Sequence, residues 1–164
     1  MRGDVYSTNQ NKRIMNVKDY PTIHQAAGGN VSIHDVSDQG FLLMVMAGNV
    51  SVADYKKGFE TLTQLMEEKG LKTLVMEASE LRQSDPEARA WLMKKHIPDL
   101  LRRLGRLNLA MVSPKSIFQK MAVNLVVKTM KALGKPVDIK PCDELEEGFV
   151  WAREKALQTM EVSA

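Results

Sequence analysis

Apolar and polar residues follow one another along this chain in a pattern that predicts strands alternating with helices. In the segment VSIHDV, Val31 and Ile33 fall on one face of a strand; the turn residues SDQG follow, and FLLMVMA is a continuous apolar run. These two strands predict an antiparallel hairpin. Because the second strand is apolar on both faces, it should lie inside a sheet. Two further buried strands, TLVMEA and LNLAMV, and a short one, PVDIKP, come later in the chain.

Helical periodicity fills the segments between these strands. The first helix begins after a predicted N-cap at Ser51 and ends at Gly70, a typical C′ residue. Ser84 is the predicted N-cap of a second helix with Pro86 in its first turn, and Pro98 interrupts that helix. A shorter helix, DLLRRL, follows the interruption.

Two long helices complete the pattern. Ser113 and Pro114 predict the N-cap and first turn of a helix that runs to Gly134, and Asp143 caps the last helix. The apolar stripe of the first of these holds Ile117, Met121, Leu125 and Met130. The order β-β-α-β-α-α-β-α-β-α predicts an α/β fold with a mixed, mostly parallel sheet of four to five strands. An N-terminal antiparallel hairpin and four to five helices belong to this prediction.

The length of 164 residues favours one domain. Residues 1–29 are polar and predict a flexible or irregular N-terminal arm, residues 30–160 a single α/β domain, and residues 161–164 a tail. No signal-peptide core or membrane-span pattern is seen in the sequence. The single cysteine, Cys142, excludes an internal disulfide and suits a reducing compartment. We expect a cytoplasmic protein.

Composition adds two observations. Eleven methionines are many, and they indicate either an adaptable core, which we favour, or a binding surface. The 23 basic and 20 acidic residues give a net charge of +3, too small to indicate nucleic acid as a partner.

Motifs of catalysis do not appear in the sequence. It contains neither a glycine-rich phosphate loop nor a G-x-S-x-G elbow. The histidines are scattered, so we predict no metal and no cofactor, and we place His96 on the surface beside Lys94 and Lys95. Cys142 is predicted to be a small buried thiol. Glu77 and Cys142 both end strands at the carboxyl edge, where parallel sheets usually place their sites, so an enzyme stays a hypothesis. It is the least favoured one, because no base for Cys142 is visible in the sequence.

A basic cluster follows the second predicted helix start. Its members are Lys94, Lys95, Arg102, Arg103 and Arg106. We interpret it first as a solvated helix face whose long side chains cover Trp91 and Leu100. An anionic partner such as a lipid headgroup is the alternative, and RNA is disfavoured because no aromatic residues interleave with the basic ones.

Three segments carry a resemblance to a known family: GFLLMVMAGNVSVADYKKGFETLTQLMEEKGLKTLVMEASEL, WLMKKHIPDLLRRLGRLNLAMVSPKSIFQKMAVNLV and VDIKPCDELEEGFVWARE. In this order they resemble small bacterial STAS-type domains of the SpoIIAA-like branch, over about residues 31–155. The resemblance implies a sheet with helices and a role in binding. Anti-sigma-factor antagonists of this type bind a kinase and are phosphorylated on a serine, and the fold also resembles lipid-transfer domains of the CRAL-TRIO type.

The phosphorylation pattern of those antagonists is incomplete in this chain. Glu77 and Ser79 match its first acid and serine, but Ser84 falls one position early and no glycine follows. We therefore expect Ser84 to be a helix cap and not a phosphoacceptor.

Two binding functions remain open. The first is a non-enzymatic module that binds a protein partner through the loop after the central strand and the following helix, where the candidate residues are Glu77, Ser79, Arg82, Ser84 and Asp85. The second is a small-ligand or lipid-binding domain whose cavity is lined by methionines, including Met111, Met121 and Met130. A homodimer is compatible with either.

Overall fold

The computed structural model describes residues 15–132 and 136–163, with side chains described up to residue 160. Residues 1–14 of the predicted arm, Gly134 and the last residue of the tail lie outside this part. The strands are β1 Thr22–Gln25, β2 Val31–Val36, β3 Phe41–Met46, β4 Gly48–Val50, β5 Thr73–Glu77, β6 Leu81–Ser84, β7 Leu107–Val112 and β8 Val137–Cys142. The helices are α1 Val52–Lys69, α2 Pro86–Trp91, α3 Ile97–Leu104, α4 Ile117–Ala132 and α5 Leu145–Ser163.

Six strands form one mixed sheet in the order β1-β2-β3-β5-β7-β8. β1, β2 and β3 are antiparallel, whereas β3, β5, β7 and β8 are parallel. The predicted α/β fold class, with its N-terminal hairpin and mostly parallel sheet, is confirmed. β1 lies in the segment that we assigned to the N-terminal arm, and it adds a strand that the pattern did not predict.

Helices cover the two faces of the sheet unequally. The larger core lies between the sheet and α1, α2, α3 and α4, and it contains alternate residues of the strands such as Leu42 and Met44. The smaller core lies on the opposite face, where Phe41 and Leu43 pack against α5 through Phe149. The strict alternation along β3 explains why this strand is apolar throughout.

The capping residues of α1 confirm the predicted limits of that helix. Ser51 Oγ accepts the backbone N–H of Asp54 at 3.1 Å. Gly70 ends the helix with a φ of 66°, a conformation that suits glycine because a Cβ atom would be strained there.

The chain from α2 to α3 is one continuous helix and is not interrupted at Pro98, contrary to our prediction. Leu92–His96 forms a π-helical turn in which the N–H of Ile97 bonds to the carbonyl of Leu92. Such a turn inserts one extra residue into a helix. Pro98, which cannot donate an i→i−4 hydrogen bond, directly follows this turn as an early residue of α3.

The start of α4 also differs from the prediction. This helix begins at Ile117, and its first internal bond runs from Lys120 N–H to the carbonyl of Ser116. Ser113 and Pro114 belong to the preceding loop and do not form the N-cap and first turn.

Candidate functional site

The loop after β5 places Glu77 and Ser79 at the carboxyl edge of the parallel strands. Glu77 Oε1 accepts the backbone N–H of Ser79 at 2.7 Å, and both residues are half-buried. They line a cleft of about 700 Å³ at this edge, which we call the edge cleft. Glu80, Asp143 and Glu144 also line it, opposed by Lys115, so the cleft is acidic.

Ser84 is not the N-cap of the second helix, so this prediction was wrong. Asp85 takes that position, accepting the N–H of Glu87 at 2.8 Å, with Pro86 as the first helical residue. Ser84 instead ends β6 and is buried. Arg82 is exposed on the same strand. The five predicted contact residues therefore do not form one surface, because Ser84 faces the interior.

The basic cluster is exposed at every predicted position, but it is not a uniform positive surface. Arg103 forms ion pairs with Glu67 at 2.5 Å and with Asp99 at 3.5 Å. Arg102 also pairs with Asp99. Lys94, Lys95 and Arg106 have no ion pair among the described residues. The side chains of this cluster were expected to cover Trp91 and Leu100. Trp91 is instead half-buried, stacked on His96 and beneath Lys56.

His96 is buried, contrary to the prediction that it lies on the surface. Its Nε2 lies 2.8 Å from Thr63 Oγ1, and its ring stacks on Trp91 with centroids 4.8 Å apart. Burial lowers the pKa of His96, because the charged ring would lose its solvation there. His96 is therefore a neutral core residue.

The outer side of α4 is an unusually apolar surface within the described part of the chain. Four large apolar side chains there, which we call the outer α4 face, are 65–83% exposed. They are Ile117, Phe118, Met121 and Leu125. Helical spacing places them on one side of the helix, while Val123, Val126 and Met130 pack towards the core. α4 is thus apolar on both sides, a pattern that a helix on a monomer surface rarely shows.

A small apolar cavity lies beneath α4. We call it the methionine cavity, since Met46, Met76, Met111 and Met130 all line it. Its volume is about 60 Å³. Met111 and Met130 thus line it as predicted, but Met121 does not, because it points outward on α4.

An open groove of about 340 Å³ separates α2 from α4, and we call it the α2–α4 groove. Arg89 and Val126 line both this groove and the methionine cavity. Arg89 Nη1 donates to the carbonyl of Ser84 at 2.7 Å and to its Oγ at 2.8 Å. Ser84 Oγ in turn lies 3.4 Å from Gln119 Oε1 on α4. Sequence reasoning missed Arg89, because neither the burial of Ser84 nor its contact with Arg89 follows from the residue pattern.

Cys142 is buried at the end of β8, as predicted, and it does not line the edge cleft. Burial raises the pKa of its thiol to about 11. Glu77 and Cys142 thus do not form a joint site. Within residues 15–132 and 136–163 there is no group of three or more histidine, cysteine, aspartate or glutamate side chains placed to hold a metal ion.

Comparison with family models, with curated proteins and with solved structures finds no match to this chain. The resemblance to STAS-type domains therefore stays a prediction, and the site is interpreted from its geometry. None of the helices in the described part of the chain combines the length and the apolar character needed to cross a bilayer.

Proposed function

We propose that this protein is a non-enzymatic interaction module that binds a protein partner through the outer α4 face and the adjoining loop after β5. The exposure of Phe118 and its three apolar neighbours carries this proposal. Water-exposed apolar patches of this kind mark interaction sites, and each large side chain is worth about 1.5–3 kcal/mol when it becomes buried.

The loop after β5 and the start of α4 form one continuous surface. The N–H of Lys115 bonds to the carbonyl of Ser79 at 3.2 Å, and Lys115 Nζ lies 2.8 Å from Glu80 Oε1. The contact surface that we proposed from sequence is therefore kept in part. Ser84 no longer belongs to it, because Ser84 is buried, and the exposed Phe118 becomes its main residue.

Charge distribution favours a protein over an anionic membrane as the partner. α4 carries Lys120, Lys128 and Lys131 and no acidic residue, whereas the edge cleft near its N-terminal end is acidic. A bilayer of uniform negative charge would be repelled by that end. A partner protein could match both regions. Its apolar groove would cover the outer α4 face, its acidic residues would pair with the lysines of α4, and a basic residue would lie near the acidic edge cleft. The single buried thiol suits an encounter in the cytoplasm.

The test compares capture of a partner by matched surface variants in cells that produce the protein naturally. Phe118→Ser and Leu125→Ser should leave stability within about 0.5 kcal/mol, because both side chains are exposed. Each should weaken partner capture at least about tenfold, as the loss of a central apolar anchor does. Leu157→Ser is the control, since Leu157 is similarly exposed on α5.

Three results would contradict the proposal. The first is equal capture by Phe118→Ser and the wild type. The second is sedimentation of the protein with vesicles of anionic lipid that depends on Phe118. The third is a homodimer that Phe118→Ser dissociates, since the partner would then be a second copy.

A second candidate function is the binding of a small apolar ligand, and the methionine cavity favours it. Four flexible side chains line a space that already exists, and Val123, Val126 and Met130 of α4 form part of its wall. Native mass spectrometry of protein purified without detergent tests this function. A bound small molecule would support it, and an apo mass with no thermal shift on adding fatty acids would contradict it.

A further inference from the structure

We propose that the methionine cavity and the α2–α4 groove together form a binding site for an aliphatic carboxylate, with Arg89 holding the carboxylate group. This inference rests on the second candidate function and names the chemical class of its ligand. Within residues 15–132 and 136–163, Arg89 is the charged residue that lines the methionine cavity.

Arg89 is half-buried without a described acidic partner. Its Nη1 is bonded to Ser84, a neutral residue, and no carboxylate of the described chain forms an ion pair with it. A partly desolvated guanidinium without a counter-charge is costly, and a bound anion would lower that cost. The Nε and Nη2 atoms form the edge of the guanidinium that has no described protein partner. Two parallel N–H donors on one edge match the two oxygens of a carboxylate.

The position of Arg89 separates a polar end of the site from an apolar one. Because Arg89 and Val126 line both spaces, a carboxylate held by Arg89 in the groove can direct its single alkyl chain towards the methionine cavity. The groove of about 340 Å³ accepts the carboxylate and the first part of the chain, and the cavity of about 60 Å³ accepts only the end of the chain. These sizes favour a chain of moderate length, for which octanoate is a soluble probe.

Ser84 fixes Arg89 in this position and connects it to α4. Ser84 Oγ accepts from Arg89 Nη1 and lies within hydrogen-bond distance of Gln119 Oε1 on α4. The guanidinium is therefore oriented by protein contacts before a ligand binds. Such preorganisation reduces the entropy lost when the ligand binds.

The experiment follows the methyl signals of the methionines by NMR during titration with octanoate, 1-octanol and octyltrimethylammonium. Octanoate should shift the signals of Met46, Met76, Met111 and Met130, while Met121, exposed on α4, serves as the internal control. Octanoate should bind at least tenfold more tightly than 1-octanol, and the cation should bind most weakly. Arg89→Met should remove the preference for octanoate while 1-octanol still shifts the same signals. Arg82→Met, a change of an exposed arginine on β6, should leave every affinity unchanged.

The possible failures are distinguishable. If octanoate and 1-octanol bind the wild type equally, the role of Arg89 is refuted while the apolar-ligand function stands, and this comparison needs no variant. Retention of the octanoate preference by Arg89→Met has the same meaning. If neither compound shifts the four cavity methionines, both the second candidate function and this inference are wrong.

Discussion

Replacing Thr63 by valine is expected to destabilise the fold by about 1–3 kcal/mol, because it removes the described hydrogen-bond partner of the buried His96 side chain. The Thr63 hydroxyl donates to the carbonyl of Phe59 at 2.9 Å. Its oxygen is therefore available to accept from a protonated His96 Nε2, a ring that also interacts with the Phe59 backbone. Valine has nearly the shape of threonine, so the packing of α1 is preserved while the His96 side chain loses its bond to Thr63.

The magnitude follows from the burial of both partners. Thr63 and His96 are 0% and 5% exposed, so water does not replace the lost acceptor. A buried donor that loses an acceptor costs more than the net value of an ordinary exposed hydrogen bond, because its desolvation is then compensated less well. For a protein of this size, a loss of 1–3 kcal/mol lowers the Tm by about 2–10 °C.

Urea denaturation at pH 8 measures the effect. Thr61→Val is the matched control, since Thr61 lies on the same helix, is half-buried and has no described side-chain hydrogen bond. It should change the free energy of unfolding by less than about 0.5 kcal/mol. A Thr63→Val variant as stable as the Thr61→Val variant would refute the account of His96 as a bonded core residue.

The same environment predicts a pH dependence. Burial lowers the pKa of folded His96 below the unfolded value of about 6.5. On acidification, His96 therefore binds a proton at a higher pH in the unfolded chain than in the folded protein. The contribution of neutral His96 to the stability of the fold is complete above about pH 6.5, and it decreases as the pH falls from there through the folded pKa. Between pH 7.5 and 5.5, His96→Gln should lose stability less steeply than the wild type, and parallel curves would contradict this.

Two further predictions concern the second helix and the cysteine. Asp85→Ala should cost about 1 kcal/mol in the free energy of unfolding, whereas Asp85→Asn should be nearly neutral, because aspartate and asparagine both cap helices. Equal losses for the two variants in urea denaturation would argue against Asp85 as the cap. Cys142 should react with a thiol reagent at pH 8 only as fast as the protein unfolds, because it is buried and its pKa is raised to about 11. Rapid labelling of the folded protein, followed by mass spectrometry, would contradict its burial.

Local signals explain which parts of the fold could be predicted from sequence. Ser51 and Gly70 determine the ends of α1 through contacts within a few residues, so the sequence pattern located them. The apolar runs of β3, β5 and β7 predicted buried strands for the same reason. β1 was missed because Thr22–Gln25 has no alternation of its own and is a strand only through its pairing with β2.

The prediction for His96 failed because it relied on the neighbouring Lys94 and Lys95 and not on helical spacing. Ala88, Leu92 and His96 are buried at intervals of four residues, which places them on one face of a helix. The expected break at Pro98 hid this pattern, because the helix in fact continues through a π-helical turn.

The candidate site was predicted only in part, because its main features depend on tertiary contacts. The prediction of one apolar stripe on α4 was wrong, because Met130 is buried whereas Ile117, Met121 and Leu125 are exposed on the other side. The helix is apolar on both sides, so periodicity alone could not show which side faces the core. Ser84 was wrongly predicted to be the helix N-cap, because its burial and its contact with Arg89 depend on the path of β6. Arg89 therefore emerged only from the structure.

The most direct test of the proposed function is site-specific photo-crosslinking in living cells. A photoreactive phenylalanine analogue replaces Phe118 in one variant and Leu157 in another, since both positions are exposed apolar sites on helices of the same molecule. The interaction account predicts one defined protein adduct from position 118 and none from position 157. Lipid adducts at position 118, or the same set of adducts from both positions, would contradict it.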